Sequence, residues 1–129
     1  MKASVEYIIS HTKSKEEKIS NTGNRSAATN TGERSAATNT GNWSAATNTG
    51  DMSAAIVTGI ESVACALGIK SKAKGALGCY IVLAEYGKKK NKYYLKYVKS
   101  HKVDGKTIEP NVFYTLLNGK FIKVLDTSL

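Results

Sequence analysis

The sequence predicts an all-β protein: a short parallel β-solenoid, or β-roll, followed by an antiparallel β-hairpin cap. Three observations lead there. Serine recurs at Ser26, Ser35, Ser44, Ser53, Ser62 and Ser71, a step of nine residues without a slip, and glycine keeps the same step from Gly23 to Gly68. The second residue after each serine is always alanine (Ala28, Ala37, Ala46, Ala55, Ala64, Ala73), whereas its neighbours change and include Lys72 and Lys74. Beyond residue 77 the small-residue repeat stops, and most of the aromatic residues follow.

Residues 1–19 read as a lead-in, with a strand over Val5–Ile9 and a charged, exposed stretch from Thr12 to Lys18. Residues 20–77 are the repeat. A helix is excluded because no apolar residues recur every three or four positions, and the regular Gly, Asn and Thr would weaken every turn. Disorder fits the composition but not the strict period or its grading. SAAT becomes SAAI and then SVAC, so larger apolar residues enter at matching positions toward the next zone. Nonapeptides with one glycine each build parallel solenoids, a short strand and a turn per unit. Two units per coil give roughly three coils, about 4.8 Å apart. Alternation along a strand points the invariant alanine inward, for a thin, alanine-filled interior. Glycine is expected to supply positive φ at each turn. The pairs after it (Asn24-Arg25, Glu33-Arg34, Asn42-Trp43, Asp51-Met52) vary as exposed edge positions do.

Residues 78–129 read as ordinary β structure. CYIVLAEY is a strand, GKKKN a turn and KYYLKYVKSHKV its hairpin partner. VDGK and LNGK are two-residue turn signals, the second joining VFYTLL to FIKVL, and Pro110 sets an extended approach to that hairpin. The zone is expected to close the open end of the solenoid.

A chain of 129 residues suits one domain. Nineteen Lys and Arg against ten Asp and Glu leave a formal charge of +9, which favours acidic partners. No apolar run has the length of a signal peptide or a membrane span, so the expectation is a cytoplasmic protein that stays in the cell that makes it, with no membrane partner. Cys65 fills a repeat position held elsewhere by Thr or Ile, and both it and Cys79 are expected to be reduced structural thiols.

Catalysis is not expected. His11 and His101 are far apart and fit no metal-ligand spacing, the serines form a ladder without a GxSxG elbow, and no phosphate loop is present. Neither cofactor nor metal is expected: the turn acids Glu33, Asp51 and Glu61 keep no fixed offset, unlike those of a calcium-binding β-roll. Thr-Asn-Thr recurs at residues 29–31, 38–40 and 47–49, but successive units lie on opposite faces, too few ranks for an ice-binding plane. The sharpest functional signal runs from Lys88 to Lys102, seven lysines and no acid, interleaved with tyrosines. Lys88, Lys89, Lys90, Lys92, Lys96 and Lys99 can neutralise phosphates or carboxylates, and Tyr93, Tyr94 and Tyr97 can stack on unpaired bases. A solubilising edge hairpin is the competing reading. A second candidate surface is a stripe at the turn positions, Arg25, Arg34, Trp43, Met52, Ile60 and Ile69, which is expected to make the chain a homo-dimer or homo-trimer.

Two resemblances follow from these motifs. IESVACALGIKSKAKGALG resembles the head repeats of YadA-type trimeric autotransporter adhesins, which implies a β-roll. SAATNTG, KAKGALGCYIVLAEY and VDGKTIEPNVFYTLLNGKFIKV resemble the C-terminal half of proteins encoded by bacteriophages and prophages. That resemblance implies a mobile-element setting, with the cytoplasm of a bacterial host cell as the expected location and the virion as the other, and brings no catalytic residues with it. The expected function is a non-enzymatic interaction protein that binds a host protein or nucleoprotein complex, for example as an inhibitor of a defence system such as an anti-CRISPR. The alternatives are a structural or adhesive β-roll of a phage tail fibre or surface head, and a nucleic-acid-binding accessory protein.

Overall fold

A nine-residue unit divides into a four-residue strand and a five-residue corner, and the two-residue alternation then dictates which side chains meet inside. The computed structural model describes residues 18–124, so the expected strand over Val5–Ile9 and the stretch from Thr12 to Glu17 lie outside the described residues. Seven short strands come first: β1 Lys18–Asn21, β2 Ala27–Asn30, β3 Ala36–Asn39, β4 Ala45–Asn48, β5 Ala54–Val57, β6 Val63–Ala66 and β7 Lys72–Gly75. β8 Tyr80–Lys89, β9 Lys92–Lys102, β10 Tyr114–Leu117 and β11 Lys120–Lys123 follow. The fold is all-β, a parallel solenoid with antiparallel strands at its C-terminal end. One sheet has the order β1-β3-β5-β7-β10-β11 and the other β2-β4-β6-β8-β9. Eight parallel strands at two per coil make about four coils, one more than the repeat count predicts, because β1 and the start of β8 add a strand at each end.

The interior is more polar than the sequence reading supposed. Ala28, Ala37, Ala46, Ala55, Ala64 and Ala73 point inward and are fully buried, as expected. Two residues further along, Asn30, Asn39 and Asn48 also point inward and are buried, and every corner serine from Ser35 to Ser71 is buried too. Buried polar groups must be satisfied, and here the period does it. The Asn39 amide donates to the carbonyls of Ser26 (3.2 Å) and Ala45 (3.1 Å) and accepts from the Gly41 N–H (2.9 Å). Asn48 repeats the pattern one unit later. From Ser44 to Ser71 each serine hydroxyl staples one coil to the previous one. Ser53 Oγ accepts from Ser35 N–H (3.2 Å) and donates to the Gly32 carbonyl (3.0 Å), and Ser62 and Ser71 do the same one and two units on. Thin coils with little apolar bulk are thus held by ladders whose members lie 18 residues apart.

The glycines act differently from the expectation. None of the repeat glycines has positive φ; the left-handed residues are the second after each glycine, Arg25, Arg34, Trp43, Met52, Glu61 and Lys70, with φ between 48° and 56°. Glycine is required for contact instead. A Cβ on Gly50 would fall inside the radius of the Gly32 carbonyl oxygen and 2.6 Å from its carbonyl carbon, and Gly41, Gly59 and Gly68 stand equally tight on the coil before.

At the last coil the register slips. β8 pairs with β6 at a spacing of 17 rather than 18, Val63 facing Tyr80. Cys79 therefore takes the serine position, its thiol 3.4 Å from Ser62 N and 3.1 Å from the Gly59 carbonyl oxygen. Cys79 is fully buried, whereas Cys65 lies on the outer face and is half-buried, which pushes its thiol pKa up. Both are free, and the outward place of Cys65 follows from its position next to the inward Ala64.

Bulk enters with the cap. Ile81, Leu83, Val103, Ile108, Tyr114 and Leu116 join Val57 in one buried cluster. LNGK forms the expected two-residue turn between β10 and β11, with Asn118 at φ 53° and Gly119 at 76°, the pattern of a type I′ turn. VDGK does not close a hairpin. The Asp104 carboxylate accepts from the amides of Lys106 (2.9 Å), Thr107 (2.9 Å) and Ile108 (3.1 Å), and so curls a loop that delivers Ile108 to the core. Pro110 belongs to a turn rather than an extended segment, with Asn111 next at φ 61°.

Candidate functional site

β6 ends at Ala66 and its chain turns the corner, but β8, stacked on it, runs straight on to Lys89. The outer part of the β8–β9 hairpin therefore continues past the corner that holds Ile69 and Lys70. Its tip is a two-residue turn with Lys90 at φ 52° and Asn91 at 65°. Lys90 is thus held in a conformation where glycine or asparagine would cost less. Gly87 is needed in β8 because the Tyr94 ring lies across it: an added Cβ would come 2.5 Å from that ring.

β9 is the outermost strand of its sheet, and all its residues except His101 are exposed. Exposure on both faces is unusual for a strand that carries Tyr93, Tyr94, Leu95, Tyr97 and Val98, between 40% and 55% accessible. A purely solubilising edge would present lysine alone. The lysines lie over the tyrosines: Lys88 over Tyr93 at 5.3 Å, and Lys96 and Lys99 over Tyr97 at 5.9 and 5.3 Å. Lys99 also donates to the Gly119 carbonyl (2.8 Å). A register shift opposite Glu85 makes Lys96 the extra residue of a β-bulge.

Glu85 ties this hairpin to the cap, a role that nothing in its spacing announced. It is buried, and its two oxygens accept from the amides of Asn118 (2.7 Å) and Gly119 (2.8 Å). Burial alone would push its pKa up, but these two amides, with Lys96 and Lys99 nearby, outweigh it and hold the carboxyl below the ordinary glutamate value. A carboxylate depressed by folding adds stability that is fully present above the unfolded value of about 4.3 and is lost as pH falls through the folded value. The thermal midpoint should therefore drop on acidification below about pH 4, and Glu85→Gln should flatten that part of the profile. An unchanged acid limb in the variant would contradict this role.

Between the hairpin, the Ile69 corner and β10 lies a cleft of about 490 Å³, lined among others by Met52, Ile69, Lys70, Tyr86, Tyr93 and Leu117. It unites residues from both candidate sets. The Tyr86 hydroxyl donates to the Leu67 carbonyl (2.8 Å) and fixes this wall. The turn positions are otherwise divided. Since one coil takes two units, Arg25, Trp43 and Ile60 rise along one edge and Arg34, Met52 and Ile69 along the other. The Arg25 guanidinium lies 5.8 Å from the centre of the exposed Trp43 ring. On the sheet faces Thr29 and Thr47 stand in register, followed by Cys65 and then Val82, so the threonine rank ends after two coils.

The sequence reading assembled Lys88 to Lys99 correctly as one hairpin but left out Leu95 and Val98, whose apolar side chains in a lysine-rich strand were the available signal. Compared with known protein families, curated proteins and solved structures, the chain shows no significant match.

Proposed function

We propose that this chain is a non-enzymatic interaction protein of phage or prophage type, which works in the cytoplasm of a bacterial host and binds a host macromolecule through the β8–β9 hairpin. Inhibition of a defence system, as by an anti-CRISPR, is the role that suits such a protein. The observation that carries the reading is the exposure of β9 on both faces, with tyrosine, leucine and valine set among lysines. Affinity capture from host cells, read by mass spectrometry, is the test. A specific partner should be recovered by the native chain and lost when Lys88, Lys89, Lys90 and Lys92 are changed to Glu. Recovery of virion proteins alone would overturn it in favour of a structural role.

One observation favours that second reading, a tail-fibre or surface β-roll in a virion. Trp43 is 53% exposed and Ile60 56%, on the same solenoid edge. Trp43 sits at φ 51°, a conformation a bulky residue adopts at a cost of order 1 kcal/mol. Association of copies along that edge, as a dimer or trimer, would bury both. Light scattering of the native chain at micromolar concentration should show a multiple of 13.8 kDa that Trp43→Ser reduces; a monomer in both would remove this association.

A further inference from the structure

The open edge of β9 has a geometry of its own. The Val103 N–H bond to the Cys79 carbonyl (2.7 Å) sets the phase of the β8–β9 ladder. Counting inward, His101, Lys99 and Tyr97 turn their peptide groups toward β8, and Lys102, Ser100 and Val98 turn theirs to the unpaired side. From the tip, Lys89 and Lys92 close the two-residue turn as a hydrogen-bonded pair, which leaves the peptide groups of Tyr93 and Leu95 on that same unpaired side. β9 ends its sheet, and among the described residues no further strand follows there.

The residues whose peptide groups point outward also share a face. Tyr93, Leu95 and Val98 stand opposite Lys88, Tyr86 and Ala84, alternate residues of β8, and together make an apolar row that continues into the cleft through Tyr93. Lys92, Tyr94, Tyr97 and Lys99 stand opposite Lys89, Gly87, Glu85 and Leu83, so the other face is basic and aromatic. A second copy of the chain is a poor occupant, because edge-to-edge pairing of β9 with itself would bring lysines together. Nucleic acid could use the lysines and tyrosines but neither the peptide groups nor Leu95 and Val98.

We infer that β9 is a docking strand, and that its occupant is an extended strand of a partner protein with apolar residues on one face and Asp or Glu on the other. This rests on the hairpin being the contact surface proposed above and names the mode of contact. Main-chain bonds to the open edge would supply affinity, and the two faces would supply specificity.

The test uses the full chain and a dye-labelled ten-residue peptide alternating Glu and Val, followed by fluorescence anisotropy. Saturable binding is expected. It should weaken at least tenfold when the peptide amides that face β9 are N-methylated, and again in a Lys92→Glu, Lys99→Glu variant. Ser100→Pro, which removes one outward N–H at an exposed edge position, should do likewise while thermal unfolding shows the fold retained. Hydrogen exchange should slow at Leu95, Val98 and Ser100. Lack of saturation up to about 1 mM, indifference to N-methylation, preference for oligothymidylate, or protection of these amides by self-association would each overturn the inference. A host partner captured through the lysines, but without protection of β9 amides, would leave the hairpin reading standing and remove only the strand-pairing mode.

Discussion

Replacing Gly50 with alanine should destabilise the protein by about 3 kcal/mol or more, enough to unfold much of a marginally stable domain. The added Cβ would overlap the Gly32 carbonyl, a backbone group with no rotamer to give way, so the two coils would have to move apart. Separation would stretch the rungs on either side, including the Ser53 bridge to Gly32. Gly23→Ala supplies the control. Its Cβ would meet nothing nearer than the Ser26 hydroxyl at 3.4 Å, since no described coil lies before it, and the change should stay within about 0.5 kcal/mol. Thermal or urea unfolding of both variants decides the matter. Equal effects would mean that glycine serves the turn conformation instead of coil contact.

The Asn48→Ala variant should lose about 2–4 kcal/mol, because it orphans two carbonyl acceptors and the Gly50 N–H in a fully buried position. Asn48→Asp should be worse at neutral pH, since a carboxylate cannot donate to the Ser35 and Ala54 carbonyls. Burial raises such a carboxyl's folded pKa above its unfolded value, so protonation at low pH should recover part of the loss. Urea unfolding at pH 7 and at pH 4 would show it. A native-like Asn48→Ala would mean that the asparagine is dispensable there, as it is at the matching positions nearer the cap, where Val57 and Ala66 stand in its place.

Period, handled as geometry, was enough to reach the architecture. A step of nine with invariant alanine forces short strands, an inward small residue and coil-on-coil stacking, and the structure follows in all three. What the period could not convey was the reason for each constant residue. A constant glycine fits either a positive φ or a neighbour that leaves no room for a Cβ, and only the coil before it shows that the second applies here. Polarity alone would put asparagine at the surface, yet its place two residues after the inward alanine puts it inside, where its amide and the corner backbone satisfy each other. The slip at Cys79 was invisible because a thiol does not resemble a serine until both are seen bridging a glycine carbonyl to the next amide. The candidate site was legible as a lysine-tyrosine hairpin from composition alone. Its straight run beyond the Ile69 corner, the Glu85 tie to the cap and the cleft depend on contacts between residues far apart in sequence.

The central claim is that the coils are scaffold and the β8–β9 hairpin is the contact surface. Hydrogen exchange on the full chain, free and in complex with the host component it captures, tests it most directly. The account predicts slowed exchange within Lys88–Lys102 and unchanged exchange at the threonine rank of Thr29 and Thr47. Protection of the coil faces, with the hairpin exchanging as it does in the free chain, would contradict it.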